Sequence, residues 1–347
     1  MKQYLFFILY DSVTNSVFDS QVAEPLLKKQ RETISLDVVI ISFEKDVSSK
    51  SINSVTQIYP TLKFIFLKRR KFVAAIFLYK EIQQLKSILS CYTNYIIIAR
   101  GPLAGHISLY AALYNACRHI TIQTRGLLAE EYRYTHAQTK NIIMKFVHML
   151  RTMLYNNIEK SVYSTRDYAI PLTIETVSAA LKDYLITSYK ACETIISVAT
   201  YDIPQVIPQE TVHEWRISLR TQLMIPENAY VYCYNGSLKP WQCPHQTILF
   251  FKEQLQCNNM AYLLILTPDV PAFHALAQQY LLPTSRYTIL NVAHKDIYRF
   301  LAIADVGIIF REKNIINWTS RPTKILEYQA VGLTIVHNNT IALLHGS

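Results

Sequence analysis

Glycine is scarce in this 347-residue chain, with 7 residues in all. No GxGxxG run occurs, so a nicotinamide- or flavin-binding reading loses its main support. Charge is also thin, at 17% of residues, below the roughly 25% usual for soluble domains. Half of the residues are hydrophobic, and nothing in the composition suggests disorder. The six cysteines, at 91, 117, 192, 233, 243 and 257, form no CxxC pair. They read as reduced, packed thiols of a cytosolic protein, which argues against a zinc site or a disulfide scaffold. No stretch reaches the ~18 uninterrupted apolar residues of a spanning helix. The apolar run Tyr4–Tyr10 is too brief for a signal peptide and lacks a small-residue cleavage site.

What charge there is lies unevenly. The chain has a net charge of +10, yet residues 1–190 hold 24 basic and 14 acidic side chains, against 11 and 11 in residues 191–347. The whole excess belongs to the first half, which points to an anionic partner there. Nucleic acid is the poorer candidate, because no basic helix carries base-reading polar residues.

Short β-branched or aromatic runs recur through the first half, at Tyr4–Tyr10, Leu36–Ser42, Lys63–Leu67, Tyr95–Ala99, His119–Thr124 and Leu172–Val177. The second half repeats them at Thr194–Ala199, Tyr230–Tyr234, Ala261–Leu266, Tyr287–Leu290, Val306–Phe310 and Leu333–His337. Segments of helical period lie between them, among them Val17–Lys29, Val73–Leu89 and Leu103–Cys117, and a longer helical region, Ala129–Asp167, interrupts the first series. This alternation predicts an α/β protein with two doubly wound parallel sheets. The predicted domains are 1–190 and 191–347, joined near Ser188–Cys192. In such folds ligands bind beyond the carboxyl ends of the strands, so residues that follow strands are the candidates.

The richest of these segments follows Val306–Phe310. It holds Arg311, Asn314 and Asn317, then Ser320-Arg-Pro-Thr-Lys-Ile-Leu-Glu327 and on to Gly332. Pro322 fits the first turn of a helix, whose free N–H groups suit a phosphate. Lys324 would add a full charge, Arg311 a forked guanidinium, and Glu327 an acceptor for a ribose diol. Glu327 paired with Lys324 or Arg321 on a solvated helix is the plainer alternative.

The run Ser320-x-Pro-Thr-Lys-x-x-Glu-Tyr-x-Ala-x-Gly332 resembles the donor-binding segment of family 4 of the retaining GT-B glycosyltransferases, in the version found in bacterial polysaccharide assembly. Tyr234-Asn-Gly-Ser237 with Trp241-Gln242, Arg216–Leu223 before Ile225-Pro226, and Ile195–Asp202 are similar to other parts of that family. So are Arg100-Gly101, Arg125-Gly126 with Glu130-Glu131, and Asp11…Ser16-Val-Phe-x-x-Gln21. The resemblance implies two Rossmann-like domains facing across a cleft, the first binding an acceptor and the second a nucleotide sugar, expected to be UDP- or GDP-linked. It implies Gly236, Ser237, Lys239, Arg311, Ser320, Thr323, Lys324 and Glu327 as donor-binding, with the Gly236–Ser237 backbone N–H groups aimed at the diphosphate. Arg125, Glu131 and Arg311 are the implied catalytic residues, and Arg100 lies on the acceptor side. Metal independence is expected, because Asp269 and Asp296 stand alone with no DxD, and no cofactor is expected beyond the nucleotide sugar.

The chain departs from the family in places. Thr319 stands where the broad family has the first of two glutamates, and Gln123-Thr124 replaces the aspartate or histidine before the Arg-Gly pair. The usual C-terminal helices are not present after Leu333–His337, so an incomplete tail is expected. His106 and Trp241 are near strand ends, with packing as their simpler role. Finally, Lys68, Arg69, Arg70 and Lys71 precede Phe72, Ile76 and Tyr79 on one helical face, a pattern suited to anionic lipid headgroups or to a charged loop. The resemblance implies a hexosyltransferase acting at the inner face of the cell membrane on a glycan or lipid-linked acceptor. A non-catalytic nucleotide-sugar-binding module and a nucleotide-sugar epimerase are the alternatives.

Overall fold

The structure, a computed structural model, describes residues 3–15, 18–33, 35–48, 50–70, 78–164, 168–200 and 206–345. The chain divides into two compact units, Met1–Ala199 and Thr200–Ser347.

The first unit is built on a seven-stranded sheet: β1 (Gln3–Leu9), β2 (Leu36–Glu44), β3 (Lys63–Lys68), β4 (Tyr95–Arg100), β5 (Cys117–Thr124), β6 (Leu172–Thr176) and β7 (Ile196–Val198). Its spatial order is β3-β2-β1-β4-β5-β6-β7, and every pairing is parallel. The order reverses between β1 and β4, which makes their carboxyl ends a topological switch point. The connecting helices are α1 (Glu24–Glu32), α2 (Lys50–Ile58), α3 (Tyr79–Leu89), α4 (Gly101–Ala111), α5 (Leu128–Thr135), α6 (Ile142–Tyr163) and α7 (Ala179–Tyr189). Strands such as β1, buried from Leu5 to Leu9, read as continuous apolar runs because helices cover both faces of the sheet.

The second unit repeats the plan with β8 (Tyr230–Asn235), β9 (Ala261–Leu266), β10 (Tyr287–Leu290), β11 (Val306–Ile309) and β12 (Thr334–His337), in the order β10-β9-β8-β11-β12. Its helices are α8 (Gln209–Gln222), α9 (Pro244–Cys257), α10 (Val270–Gln279), α11 (Ile297–Leu301), α12 (Ile315–Thr319) and α13 (Thr323–Ala330). Alternate residues of β8 enter opposite cores: Val231 and Cys233 pack with Ile325 and Tyr328, while Tyr232 and Tyr234 pack with Phe251 and Phe273. Here the switch point falls between β8 and β11.

Each of the twelve strands overlaps a predicted run. The domain boundary differs. The run Thr194–Ala199, expected to open the second domain, forms β7 and pairs with β6 in the first sheet, Ile174 facing Ile196. The first unit therefore extends to Ala199 rather than residue 190. Asp202, at the end of that run, lies outside the described residues, as do Ser16 and Val17 of the Asp11–Gln21 motif. The single helical region Ala129–Asp167 is two helices, and Asn141 starts the second: its side chain accepts the N–H groups of Ile143 and Met144.

Gly307 in β11 shows why glycine is kept where it is. A Cβ there would lie 2.3 Å from the Tyr328 ring. That ring is fully buried, and its hydroxyl is tied to β8, accepting the Asn235 N–H at 3.1 Å. Gly307→Ala is expected to destabilise the second unit by about 2 kcal/mol through overpacking, seen as a lower denaturant midpoint in equilibrium unfolding.

Candidate functional site

Two groups of side chains meet at strand ends, one in each unit. In the second unit, β8 ends at Asn235, β11 ends just before Arg311, and α13 opens at Thr323. Lys324, in the first turn of α13, is half-buried and donates to Gln242 Oε1 at 2.6 Å. Its ammonium lies 5.1 Å from the centre of the Tyr234 ring. The hydrogen-bond partner is thus a neutral amide rather than a carboxylate. Burial holds Lys324 well below the ordinary lysine pKa, the nearby Arg311 guanidinium pushes it the same way, and Glu327 opposes them. Arg311 is half-buried too, and burial lowers its pKa. Two cations are crowded together at the switch point, an arrangement that an anion would relieve.

The surrounding side chains fix this geometry. Asn338 brackets the Arg311 backbone, accepting its N–H at 3.2 Å and donating to its carbonyl at 2.8 Å. Gln242 Nε2 donates to Ser237 Oγ at 3.0 Å, and the Tyr234 hydroxyl donates to Ser237 O at 2.8 Å. Glu327 is buried, and its Oε2 accepts Asn235 Nδ2 at 2.7 Å, which ties α13 to the end of β8. Gly236 is needed for space: a Cβ would stand 2.3 Å from both Gln242 Oε1 and Lys324 Nζ.

Several expectations for this segment are corrected. The Gly236 N–H does not point at a ligand, because it donates to Leu266 O at 2.8 Å. Pro322 precedes the first helical residue instead of lying in the first turn. Ser320 Oγ donates to Asn317 O at 2.8 Å, and Thr323 is exposed at the start of α13. Lys239 is exposed, with its ammonium 5.2 Å from the centre of the Trp241 ring. Thr319 is buried and returns its hydroxyl to Ile315 O at 2.9 Å, so it packs within α12. Asn314 is the cap of α12, accepting the Asn317 N–H at 2.9 Å. Asp269 also serves structure, accepting the Leu238 N–H at 2.8 Å.

In the first unit, Arg100, Arg125 and Glu131 line one cavity of about 190 Å³, together with Tyr10, Asp11 and Gly126. The cavity lies at the carboxyl ends of β1, β4 and β5. Arg100 donates to Gln21 Oε1, which explains the glutamine of the Asp11–Gln21 motif. The Glu131 carboxyl lies where a Cβ on Gly126 would stand. The residue is exposed overall, but protein packed around the carboxyl raises its pKa above the ordinary carboxylate value, and the Asp11 carboxylate adds to the rise. Its neighbour Glu130 turns away to Arg133, at 3.0 Å. The loop before Glu131 is held by Glu159 of α6, which accepts the N–H groups of Leu128 and Ala129 at 2.8 and 3.3 Å. Burial pushes Glu159 up to about 7.

A second cavity of about 470 Å³ shares Tyr10 and Asp11 with the first. Lys45, Arg69, Arg70 and Arg151 line it, with Leu78, Leu103, Leu128 and Leu154 supplying apolar wall. The basic run Lys68–Lys71 therefore does not form one outward face. Lys68 and Arg70 are exposed, whereas Arg69 folds back, donating to Tyr10 O at 2.7 Å and lying 5.2 Å over its ring. Lys71 and the helical face expected from Phe72 and Ile76 fall outside the described residues. His106 packs against α6, its Nδ1 2.9 Å from Ser161 Oγ.

Sequence reasoning did not single out Lys45, Arg151 or Asn338. Lys45 directly follows β2 and the post-strand rule would find it. Arg151 is in the middle of a helix, where that rule does not look.

No family model matches the chain, and no curated protein matches it in sequence. Solved structures do match. A glycosyltransferase from Rickettsia africae ESF-5 is similar at 15% identity with a TM-score of 0.62, over 98% of this chain and 80% of that one. WaaG, a glycosyltransferase involved in lipopolysaccharide biosynthesis, is similar at 13% identity and 0.61, over 99% and 82%. A putative UDP-N-acetylglucosamine 2-epimerase from Listeria monocytogenes follows at 12% identity and 0.54, over 97% and 79%. At these identities the likeness speaks to fold, and the fold is α/β with two Rossmann-like units, as in GT-B glycosyltransferases.

Proposed function

We propose that this protein is a retaining glycosyltransferase that moves a hexose from a UDP- or GDP-linked donor to a glycan or lipid-linked acceptor. The observation that carries the reading is the pair of half-buried cations, Arg311 and Lys324, crowded at the switch point of the second sheet. A departing nucleoside diphosphate needs fixed positive charge, and these two side chains, with Lys239 and the start of α13 at Thr323, would supply it without a metal. Ser237 and Ser320 would add hydroxyls, and Glu327, held by Asn235, would receive the ribose. In the first unit Glu131, with its raised pKa, is suited to take a proton from an acceptor hydroxyl, and Arg125 and Arg100 to orient the acceptor. The cations of the larger cavity favour an acceptor that carries negative charge. In this reading the enzyme works at the cytoplasmic face of a membrane.

Isothermal calorimetry with UDP, GDP and their sugars tests the donor assignment. Binding of one nucleotide is expected, weakened at least tenfold in Arg311→Ala. Undiminished binding in that variant, or none in the wild type, overturns the assignment. Binding without transfer or donor hydrolysis would favour a non-catalytic module, to which Thr319 in place of a carboxylate also points. Interconversion of donor sugars would identify an epimerase.

A further inference from the structure

The most unusual surface in the described residues is the first half of α6. Ile142, Ile143 and Phe146 are 81%, 70% and 57% exposed, and Met144, Val147, Met149, Leu150 and Met153 are exposed as well. Further along, Ile158, Val162 and Tyr163 are buried, whereas the first half is held along one side, where His148 Nδ1 lies 2.6 Å from the Tyr132 hydroxyl of α5 and its ring 4.1 Å from that of His136. Successive helical residues turn by about 100°, so these positions spread an apolar surface over more than half of the helix, while Asn141, Lys145, His148 and Thr152 fall together on a polar stripe. An apolar face this wide is ordinarily buried, and exposed apolar patches this continuous mark interaction sites.

We infer that the first three turns of α6 insert into the surface of an anionic membrane. Two observations choose this occupant over a second copy of the chain. A wide apolar face beside a narrower polar stripe that carries Lys145 is the layout of a helix lying in a membrane interface. Charge is also one-signed: residues 132–158 contain Arg133, Lys140, Lys145 and Arg151 and no aspartate or glutamate. Lys140 and Lys145 are exposed. Each would lie at headgroup level and contribute about 1 kcal/mol near an anionic surface, Lys145 by extending its stem past the apolar layer. Insertion would be shallow, because no helix among the described residues is long and apolar enough to cross a membrane. The contact thus moves from the Lys68–Lys71 run, where the sequence placed it, to a helix whose next turns bring Arg151, Leu154 and Tyr155 to the wall of the cationic cavity.

The test is co-sedimentation of the full chain with vesicles of phosphatidylglycerol and phosphatidylcholine, compared with phosphatidylcholine alone. The wild type should bind the anionic vesicles at least tenfold more tightly. The double variant Phe146→Asp, Met149→Asp should lose at least tenfold, while Lys68→Gln, Arg70→Gln keeps most of the binding. Both changes in the first variant are at exposed positions, and an unchanged thermal melt confirms its fold. Absence of wild-type binding, or unchanged binding in the aspartate variant, overturns the inference. So does self-association that the aspartate variant abolishes without any vesicle binding. The inference does not rest on the donor site, and nucleotide affinity should be equal in the wild type and the aspartate variant.

Discussion

Lys324→Met is expected to weaken nucleoside-diphosphate binding about 100-fold and to raise the unfolding temperature of the free second unit. The two effects have one origin. In the free protein the ammonium is crowded by burial and by Arg311, and only a neutral amide accepts its hydrogen bond. Methionine fills similar space without a charge, and replacing a poorly compensated buried charge in this way stabilises by about 1 kcal/mol or more. At this size that is roughly 2–4 °C. Loss of a charge-assisted contact to phosphate costs about 1.5–3 kcal/mol, which is tenfold to somewhat over 100-fold in affinity. The depressed pKa adds a pH signature. A bound diphosphate favours the charged ammonium and raises its pKa, so affinity falls as pH rises through the depressed value. Calorimetry over a pH series, in buffers of different ionisation enthalpy, reads the proton uptake that accompanies that fall, and Lys324→Met should abolish both. A variant that binds as the wild type does, or that melts several degrees lower, would remove the case for a strained cation.

Asp305→Ala should destabilise the second unit by about 3 kcal/mol, the larger stability effect. Asp305 Oδ1 takes Arg216 Nη1 at 2.8 Å, and Oδ2 takes Arg220 Nη2 at 3.0 Å and the Val231 N–H at 2.8 Å. The two guanidiniums also satisfy the carbonyls of Ala302, Ile303 and Ala304 after α11. Removing the carboxylate leaves Arg220, with its side chain 8% exposed, without its counter-charge. Breaking such a pair from one side typically costs about 3–5 kcal/mol, and the 20% exposure of the Asp305 side chain places this case at the low end. Urea unfolding followed by circular dichroism measures it. A change below 1 kcal/mol would mean that the network adds little beyond packing.

The fold was legible in the sequence because the central strands are short runs buried on both faces, so apolar content alone marks them. Ala261–Leu266 is the clearest case, buried at every position. What escaped was pairing over distance. Nothing local to Thr194–Ala199 says whether it joins the sheet before it or the one after it. Asp305 and Arg216 are 89 residues apart, and only the fold brings them together. At the candidate site, residue types on one post-strand loop pointed correctly to Arg311 and Lys324 as neighbours. The Gly236 N–H was misjudged because its bond to Leu266 depends on the β8–β9 register. The apolar turns of α6 were read as an ordinary helical segment, since a sequence does not reveal which apolar residues find no cover.

Synthesis order gives the parallel sheets a further consequence. The first sheet has all its strands once residue 198 has emerged, whereas β8 at the centre of the second pairs with β9 on one edge and must wait on the other for β11, which ends at Ile309. A nascent chain of intermediate length would carry a first unit with all its strands and a second sheet still open at β8, with the apolar turns of α6 already on display. At 5–20 residues per second that interval lasts about 5–20 s. The growing chain could therefore meet its surface before it has a second unit at all.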